Sequence, residues 1–194
     1  LLVAIIIGFI NGTLITRFRV SPLITTISMS FILGGVVILI TKQPITANTA
    51  AFKFLGATTL GSINFPLPIV ILLVLYVLFG FILKFTRTGR HLYCTGGNQK
   101  AAEVAGINTK RVMMKTYILS SLLAGVAGII LASRIATANP SIGSSYALES
   151  IAAAVLGGTI LAGGEGSVFG AFLGVVLIGI LSNGLIMVGA PQAF

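Results

Sequence analysis

The side chains that could do chemistry are few, and most of them lie in one stretch of the sequence. Of the twelve lysine and arginine residues, seven lie between Lys84 and Lys115. The acidic residues number only three and are Glu103, Glu149 and Glu165. His91 is the single histidine. Acid–base catalysis by paired carboxylates and metal binding by several imidazoles are therefore not expected, and no cofactor is predicted.

Motif spacing argues against two further kinds of chemistry. No G-x-x-x-x-G-K-[ST] is present, so a phosphate-binding loop for ATP is not expected. The run GGEGSVFG at 163–170 departs from the dinucleotide-binding spacing G-x-G-x-x-G and favours helix packing instead. Cys94 is the only cysteine, which rules out an intrachain disulfide and predicts a reduced thiol.

The basic stretch contains a short segment, 98–109, with the pattern of a docking helix. Asn98 is a good N-cap, and small residues follow at helical spacing. These small residues are Ala101, Ala102, Ala105 and Gly106. Ile107 adds an apolar contact, and Lys100 and Glu103 flank the helix. Two interpretations stay open: the helix sits in a groove of a partner protein, or it lies on lipid headgroups.

Outside this stretch the sequence is apolar enough for a membrane. The chain of 194 residues is 56% hydrophobic and 8% charged, against about 25% charged residues in a typical soluble domain. Uncharged runs long enough to span a bilayer recur at 20–41, 54–83, 116–133 and 166–194. An integral membrane protein is predicted. The net charge of +9 then reflects lysine and arginine gathered on one side of the membrane, not nucleic-acid binding.

The predicted fold class is an all-α polytopic transmembrane bundle. Helices are expected at 1–16, 22–41, 67–85, 116–136 and 167–188, with Ser21 and Pro22 opening the second. Segment 150–162 is too short and glycine-rich for an ordinary span, which predicts a re-entrant, broken or protein-buried helix. The loop 42–66 is expected to be extramembrane, with a short surface helix. The sequence begins and ends within apolar runs, so a fragment of a longer chain, with 1–194 as one transmembrane domain, is predicted.

Small residues indicate where helices pack closely. Gly8 and Gly12 lie on one helix face, and Gly166, Gly170 and Gly174 recur every four residues. The string GFINGTLI at 8–15 resembles GILSNGLI at 179–186. Because these two segments are expected to run in opposite directions, they predict an inverted repeat, as in many transporters.

Charge sets the expected orientation. If 1–16 runs inward, nine lysine and arginine residues are cytoplasmic and three are external, and the reverse assignment inverts this ratio. The positive-inside rule selects the first assignment, with loop 86–115 cytoplasmic. The external residues are then Lys42, Lys53 and Arg134.

Four longer strings resemble a known family. They are TRTGRHLYCTGGNQKAAEVAGINTKRV, SRIATANPSIGSSYALESIAAAVLGGTILAGGEGSVFG, GFINGTLITRFRVSPLITTISM and the closing GILSNGLIMVG. Together they resemble the permease subunits of bacterial sugar ABC importers of the ribose, galactose and arabinose type. One departure lies at Tyr146-Ala147-Leu148-Glu149-Ser150, where the family commonly has Tyr-Glu-Leu followed by Asp and Ala.

The resemblance implies a transport subunit of the bacterial inner membrane that is not itself an enzyme. Its partners would be a second permease copy, identical or different, two ATPase subunits that hydrolyse ATP, and an extracytoplasmic sugar-binding protein, besides membrane lipid. Segment 98–107 would be the cytoplasmic coupling helix that contacts the ATPase. The coupling residues would be Asn98, Ala101, Ala102, Glu103, Gly106 and Ile107.

Interrupted helices are the best indication of a substrate pathway in a transporter sequence. The candidate pathway residues are Gly157, Gly158, Thr159, Gly163, Gly164 and Asn183. Glycines that serve only tight helix packing are the alternative interpretation. For the whole protein, two alternatives remain: an ATP-independent facilitator or secondary transporter for a small polar solute, and a membrane assembly or receptor subunit. The sequence does not specify which sugar or related solute is carried.

Overall fold

The computed structural model describes residues 1–41, 43–46, 56, 59–60, 65–140, 142–143 and 145–189, and these are mostly helical. The helices are α1 (Leu2–Phe18), α2 (Pro22–Ile40), α3 (Leu67–Phe85), α4 (Arg87–Gly97), α5 (Gln99–Val104), α6 (Thr109–Ile135), α7 (Tyr146–Leu156) and α8 (Val168–Met187). The two-residue strands are β1 (Ile45–Thr46), β2 (Thr59–Leu60), β3 (Phe65–Pro66) and β4 (Thr137–Ala138). β1 pairs antiparallel with β4, and β2 with β3. The surface helix predicted within 42–66, with Lys42 and Lys53, falls mostly outside the described residues.

Four helices, α2, α3, α6 and α8, are long and apolar enough to cross a membrane, and α1 and α7 are shorter apolar helices. None of the residues of α3 is buried within the chain, and in α2 only Thr25 is. Helices this apolar need lipid or further protein around them. The described part of the chain thus has the all-α polytopic architecture that its composition predicted.

The basic stretch is more helical than the sequence suggested. α6 begins at Thr109 instead of 116, because the Asn108 side chain accepts a hydrogen bond from the Arg111 amide at 3.1 Å and no glycine or proline lies between 109 and 116. α4 was not predicted at all. Conversely, the side-chain cap expected from Ser21 is not formed, although Pro22 does open α2.

The first of two compact units contains Leu1–Val77 and Asn108–Ser144. Within it, α1 packs antiparallel against α6. A Cβ added to Gly8 would lie 2.8 Å from the Ile118 Cα, and one added to Gly12 would lie 2.6 Å from the Met114 Sδ. The predicted close-packing face of α1 is therefore confirmed, since a side chain at Gly8 would meet the α6 backbone and one at Gly12 would have to displace the Met114 side chain.

The second unit contains Leu78–Ile107 and Ser145–Phe194. Here α7 packs antiparallel against α8, with Gly174 against the Ala153 carbonyl and Gly157 against the Gly170 carbonyl. Gly170 and Gly174 thus form the predicted packing face. Gly166 does not belong to it, because α8 begins only at Val168. The short helix predicted in the second half is α7, whereas the inverted repeat stays a prediction.

Candidate functional site

The segment 98–109, predicted to dock a partner, contains α5, and α4 precedes α5 with one residue between them. α4 follows α3 after Thr86 alone, whose Oγ1 accepts a hydrogen bond from the Gly89 amide at 3.4 Å. Asn98 ends α4 by donating its amide to the Cys94 carbonyl at 3.1 Å. The same residue starts α5, because its Oδ1 accepts from the Ala101 amide at 3.0 Å. Asn98 therefore fixes the direction of α5 relative to α4, and its predicted N-cap role is confirmed.

The other end of α5 is also closed by hydrogen bonds. The Ile107 amide donates to the Ala102 carbonyl, and the Gly106 amide donates to the Glu103 carbonyl, both at 3.0 Å. This pair of bonds is the Schellman motif, which requires a left-handed residue just past the helix. Gly106 supplies it with φ of 82°. A helix of six residues is marginal in water, so these two caps are what hold it in shape.

The structure divides the predicted small-residue face of α5 into an inner and an outer side. Ala102 is only 4% exposed and packs inward. Ala101, Ala105 and Gly106 are exposed, and Val104 is 91% exposed at the end of the helix. Among the described residues Val104 is the most exposed of the large apolar side chains. We define Ala101, Val104, Ala105 and Gly106 as the outer face of α5.

Polar and charged side chains are found on α5 and elsewhere in the same unit. Glu103 is exposed, and its carboxylate Oε1 accepts a hydrogen bond from the Gln99 amide Nε2 at 3.4 Å along the helix. Exposed cations in the same unit are Lys84, Arg87, Arg90 and Lys100. Ile107 is half-buried beneath the cap. On α5 itself the apolar Val104 thus has the charged Lys100 and Glu103 beside it, a mixture found in protein-docking patches.

The segment 150–162, predicted to be short or broken, is helical up to 156 and irregular beyond it. α7 ends at Leu156, α8 starts at Val168, and 157–167 between them forms turns. Within it the Ile160 amide donates to the Glu165 carbonyl and the Gly163 amide to the Ile160 carbonyl. The amides of 157–159 donate back to carbonyls at the end of α7. We refer to 157–167 as the broken segment. At the end of this segment the Ser167 hydroxyl caps α8 by accepting from the Gly170 amide at 2.9 Å.

The structure does not bring the six candidate pathway residues together. Gly157 contacts the Gly170 carbonyl, and Gly163 and Gly164 contact the end of α4. These three serve backbone packing. Gly158 has open space where a Cβ would point, and Thr159 lies beside Gly166.

Asn183, the sixth candidate, is exposed on α8 and lies apart from the broken segment. It is 13 residues beyond Gly170, the α8 residue that Gly157 contacts, about 20 Å along the helix at 1.5 Å per residue.

Sequence reasoning missed the residues on α4 that meet the broken segment. Tyr93 Oη donates a hydrogen bond to the Gly166 carbonyl at 2.8 Å, and Gly96 and Gly97 contact Gly163 and Gly164. The sequence feature that could have indicated this contact is the presence of two glycine pairs, Gly96-Gly97 in the basic stretch and Gly163-Gly164 in the broken segment. Without knowing that Tyr93 lies on a helix, nothing in the sequence connected them.

Other site chemistry is sparse. Among the described residues no group of three or more histidine, cysteine or acidic side chains could hold a metal ion. A cavity of about 250 Å³ in the first unit is lined mainly by apolar side chains such as Val37, Leu131 and Ile135. Its polar lining is limited to Thr41, Thr137 and Asn139. Such a cavity lacks the dense hydrogen-bonding groups that a sugar would need.

Comparison with curated proteins returns sugar import permeases. The ribose import permease protein RbsC of Escherichia coli (strain K12) is 36% identical over 193 residues, covering 97% of this chain and 60% of that protein. RbsC of Bacillus subtilis (strain 168) is 38% identical, covering 95% and 58%. The fructose import permease protein FrcC of Rhizobium meliloti is 36% identical, covering 95% and 54%. The chain therefore spans about 60% or less of the length of these relatives. No solved structure matches it.

The match to the family extends along the whole chain. Residues 1–194 match the family described as branched-chain amino acid transport system / permease component. The four membrane-length helices agree with this match. The chain is accordingly a multi-pass membrane protein and belongs to this family of ABC transporter permease components.

Proposed function

We propose that this chain is the core of a transmembrane permease subunit of an ABC importer that carries a monosaccharide of the ribose type across the bacterial inner membrane. The observation that carries the proposal is the outer face of α5, a doubly capped helix that presents Val104 to solvent. The relatives named as ribose and fructose import permeases support the sugar class. The chain itself hydrolyses nothing; separate ATPase subunits dock on α5, a second permease copy completes the pathway, and an extracytoplasmic binding protein delivers the sugar.

In this proposal α4 and α5 face the cytoplasm. The nine-to-three distribution of lysine and arginine supports this orientation. The antiparallel packing of α1 against α6 and of α7 against α8 agrees with the alternation of spans, and the charge distribution alone assigns the cytoplasmic side. The broken segment contacts α4 and therefore lies toward the same side. Of the predicted pathway residues, Gly158, Thr159 and Asn183 stay available for lining, since the other three glycines are occupied in packing.

Docking on α5 is tested by Val104→Asp in the full-length permease expressed with its ATPase. Because Val104 is almost fully exposed, the substitution should leave permease yield unchanged. A carboxylate buried without a partner in the interface costs several kcal/mol, so ATPase co-purification should fall by about tenfold or more. Thr88→Asp, which adds the same charge at an exposed position of α4, is the matched control and should retain the ATPase.

Two results would count against the proposal. If Val104→Asp retains the ATPase as well as Thr88→Asp does, the docking surface is elsewhere. If the wild-type permease transports ribose without any ATPase, the protein is a facilitator. Substitutions at Ala102 cannot make the first distinction, because this side chain is buried in the permease's own fold.

Orientation is tested with the thiol of Cys94, which is exposed on α4. A membrane-impermeant maleimide should label it in inside-out vesicles and leave it unlabelled in intact spheroplasts. Cys94→Ser identifies the signal. Labelling of Cys94 in spheroplasts but not in inside-out vesicles would reverse the assigned topology.

A further inference from the structure

The end of α4 and the broken segment meet backbone to backbone, with no side chains between them. A Cβ added to Gly96 would lie 2.7 Å from the Gly164 amide nitrogen, and one added to Gly163 would lie 2.7 Å from the Gly96 carbonyl oxygen. A Cβ added to Gly164 would lie 2.6 Å from the Gly97 Cα. Contacts this close leave no room for slippage, because neither backbone can yield as a side chain would.

A hydrogen bond extends this contact by one helical turn. Tyr93 lies three residues before Gly96, on the same side of α4, and its hydroxyl donates to the Gly166 carbonyl at 2.8 Å. The two partners are 73 residues apart in sequence. Together Tyr93, Gly96 and Gly97 hold both ends of the turn 163–166. We call this set of contacts the glycine seam.

The seam lies between two elements of different stiffness. On one side, α4 continues into α5 through Asn98 alone, whose backbone and side chain bond to both helices. A displacement of α5 must therefore move the end of α4. On the other side, the broken segment forms turns closed by single backbone hydrogen bonds, such as Ile160 to Glu165 and Gly163 to Ile160, with no continuous helix or strand ladder.

We propose that the glycine seam is the joint through which a displacement of α5 is transmitted to the broken segment, and that Tyr93 is a positioning residue in that joint. This inference rests on the proposed function, in which α5 is displaced by an ATPase. It adds a direct connection between α4 and the broken segment, which are far apart in the sequence. Coupling between distant sites is carried by chains of packed elements, and the seam connects the α4–α5 helix pair to a segment that is neither helix nor strand.

The experiment compares sugar uptake with ATP hydrolysis in the assembled importer. Full-length permease, ATPase and binding protein are reconstituted in vesicles of phosphatidylethanolamine and phosphatidylglycerol, and radiolabelled ribose uptake per ATP hydrolysed is measured. Gly96→Ala places a methyl group against Gly164, and Tyr93→Phe removes only the hydroxyl. Gly179→Ala on α8, where a Cβ meets nothing within 4 Å, is the matched control.

If the seam is the joint, Gly96→Ala and Tyr93→Phe should lower sugar uptake without lowering the rate of ATP hydrolysis. Co-purification of the ATPase and the hydrolysis rate should stay at wild-type values, because the outer face of α5 is unchanged. Uptake per ATP should fall about fivefold or more in each, the lower end of typical coupling between sites, and Gly179→Ala should match wild type. A role confined to stability would lower permease yield and leave this ratio unchanged.

Three results would overturn the joint. Wild-type uptake per ATP in Gly96→Ala and Tyr93→Phe would show that the seam transmits nothing. Loss of ATPase co-purification in both variants would make the seam part of the docking fold instead. In either case wild-type uptake stays ATP-dependent, so the proposed function stands. Absence of ATP-dependent uptake in the wild type would instead remove the proposed function, and the joint with it.

Discussion

Gly174→Leu should prevent the second half of the chain from folding. A Cβ at this position meets the Ala153 carbonyl and would lie 3.0 Å from the Gly157 amide nitrogen. Both are backbone atoms, one in α7 and one in the residue that caps its end, so the clash can be relieved only by separating α7 from α8. Overpacking of this kind typically costs about 3 kcal/mol, and more when nothing can yield. We expect little monodisperse protein after detergent extraction, and an apparent melting temperature lower by about 6 °C or more in what remains.

The same substitution at Gly179 tests whether the loss of folded protein comes from contact with α7 or from placing a leucine in α8. Gly179 lies on the same helix, and nothing is found within 4 Å of a Cβ added there. Gly179→Leu should therefore extract and melt like the wild type. Equal loss of folded protein in both variants would mean that α8 rejects leucine for a reason other than contact with α7, and the antiparallel α7–α8 packing would lose its support.

The spans could be predicted because they depend on composition and length. α3 covers the range predicted for it, and α2 and α8 end within one residue of theirs, since the hydrophobic thickness of a bilayer sets the length of an apolar run. The close-packed glycines of α1 and α8 were also predictable, because spacing of four residues places them on one helix face. These features are local, and the sequence specifies them locally.

The start of α6 and the existence of α4 were not predictable in the same way. Basic residues mark where a span leaves the apolar core, but they do not end a helix, and lysine and arginine are good helix formers. The helix therefore continues through Lys110, Arg111 and Lys115 to its cap at Asn108. α4 ends in two glycines and carries a polar sequence, which indicates a loop unless tertiary contacts are known.

The candidate site was predicted in its location and only partly in its geometry. The position of α5 and the caps at Asn98 and Gly106 follow from residue type. Which alanine faces outward does not, because Ala101 and Ala102 are equivalent until the neighbouring helix is in place. Similarly, Gly163 and Gly164 carry the same sequence signal whether they line a pathway or pack against α4.

Asn11 offers a prediction with opposite signs for two substitutions. The buried residues of α1 are Gly8, Asn11, Gly12 and Ile15, one stripe at helical spacing, and Gly8 and Gly12 on it contact α6. The Asn11 Oδ1 atom is buried and has no hydrogen-bond partner among the described residues. Asn11→Asp places a charge in this buried stripe of α1 and should destabilise the protein by about 3 kcal/mol, as a charge in a transmembrane helix does.

Asn11→Leu should do the opposite, because it removes a buried acceptor whose unpaired state costs about 1–3 kcal/mol and replaces it with an apolar group of similar size. The apparent melting temperature in detergent should rise for Leu and fall for Asp. Asn183→Leu, at an exposed asparagine of α8, controls for the added hydrophobicity and should change it little. If Asn11→Leu melts as low as Asn11→Asp, the Oδ1 atom forms a stabilising hydrogen bond in the full-length protein, with a partner other than the described residues.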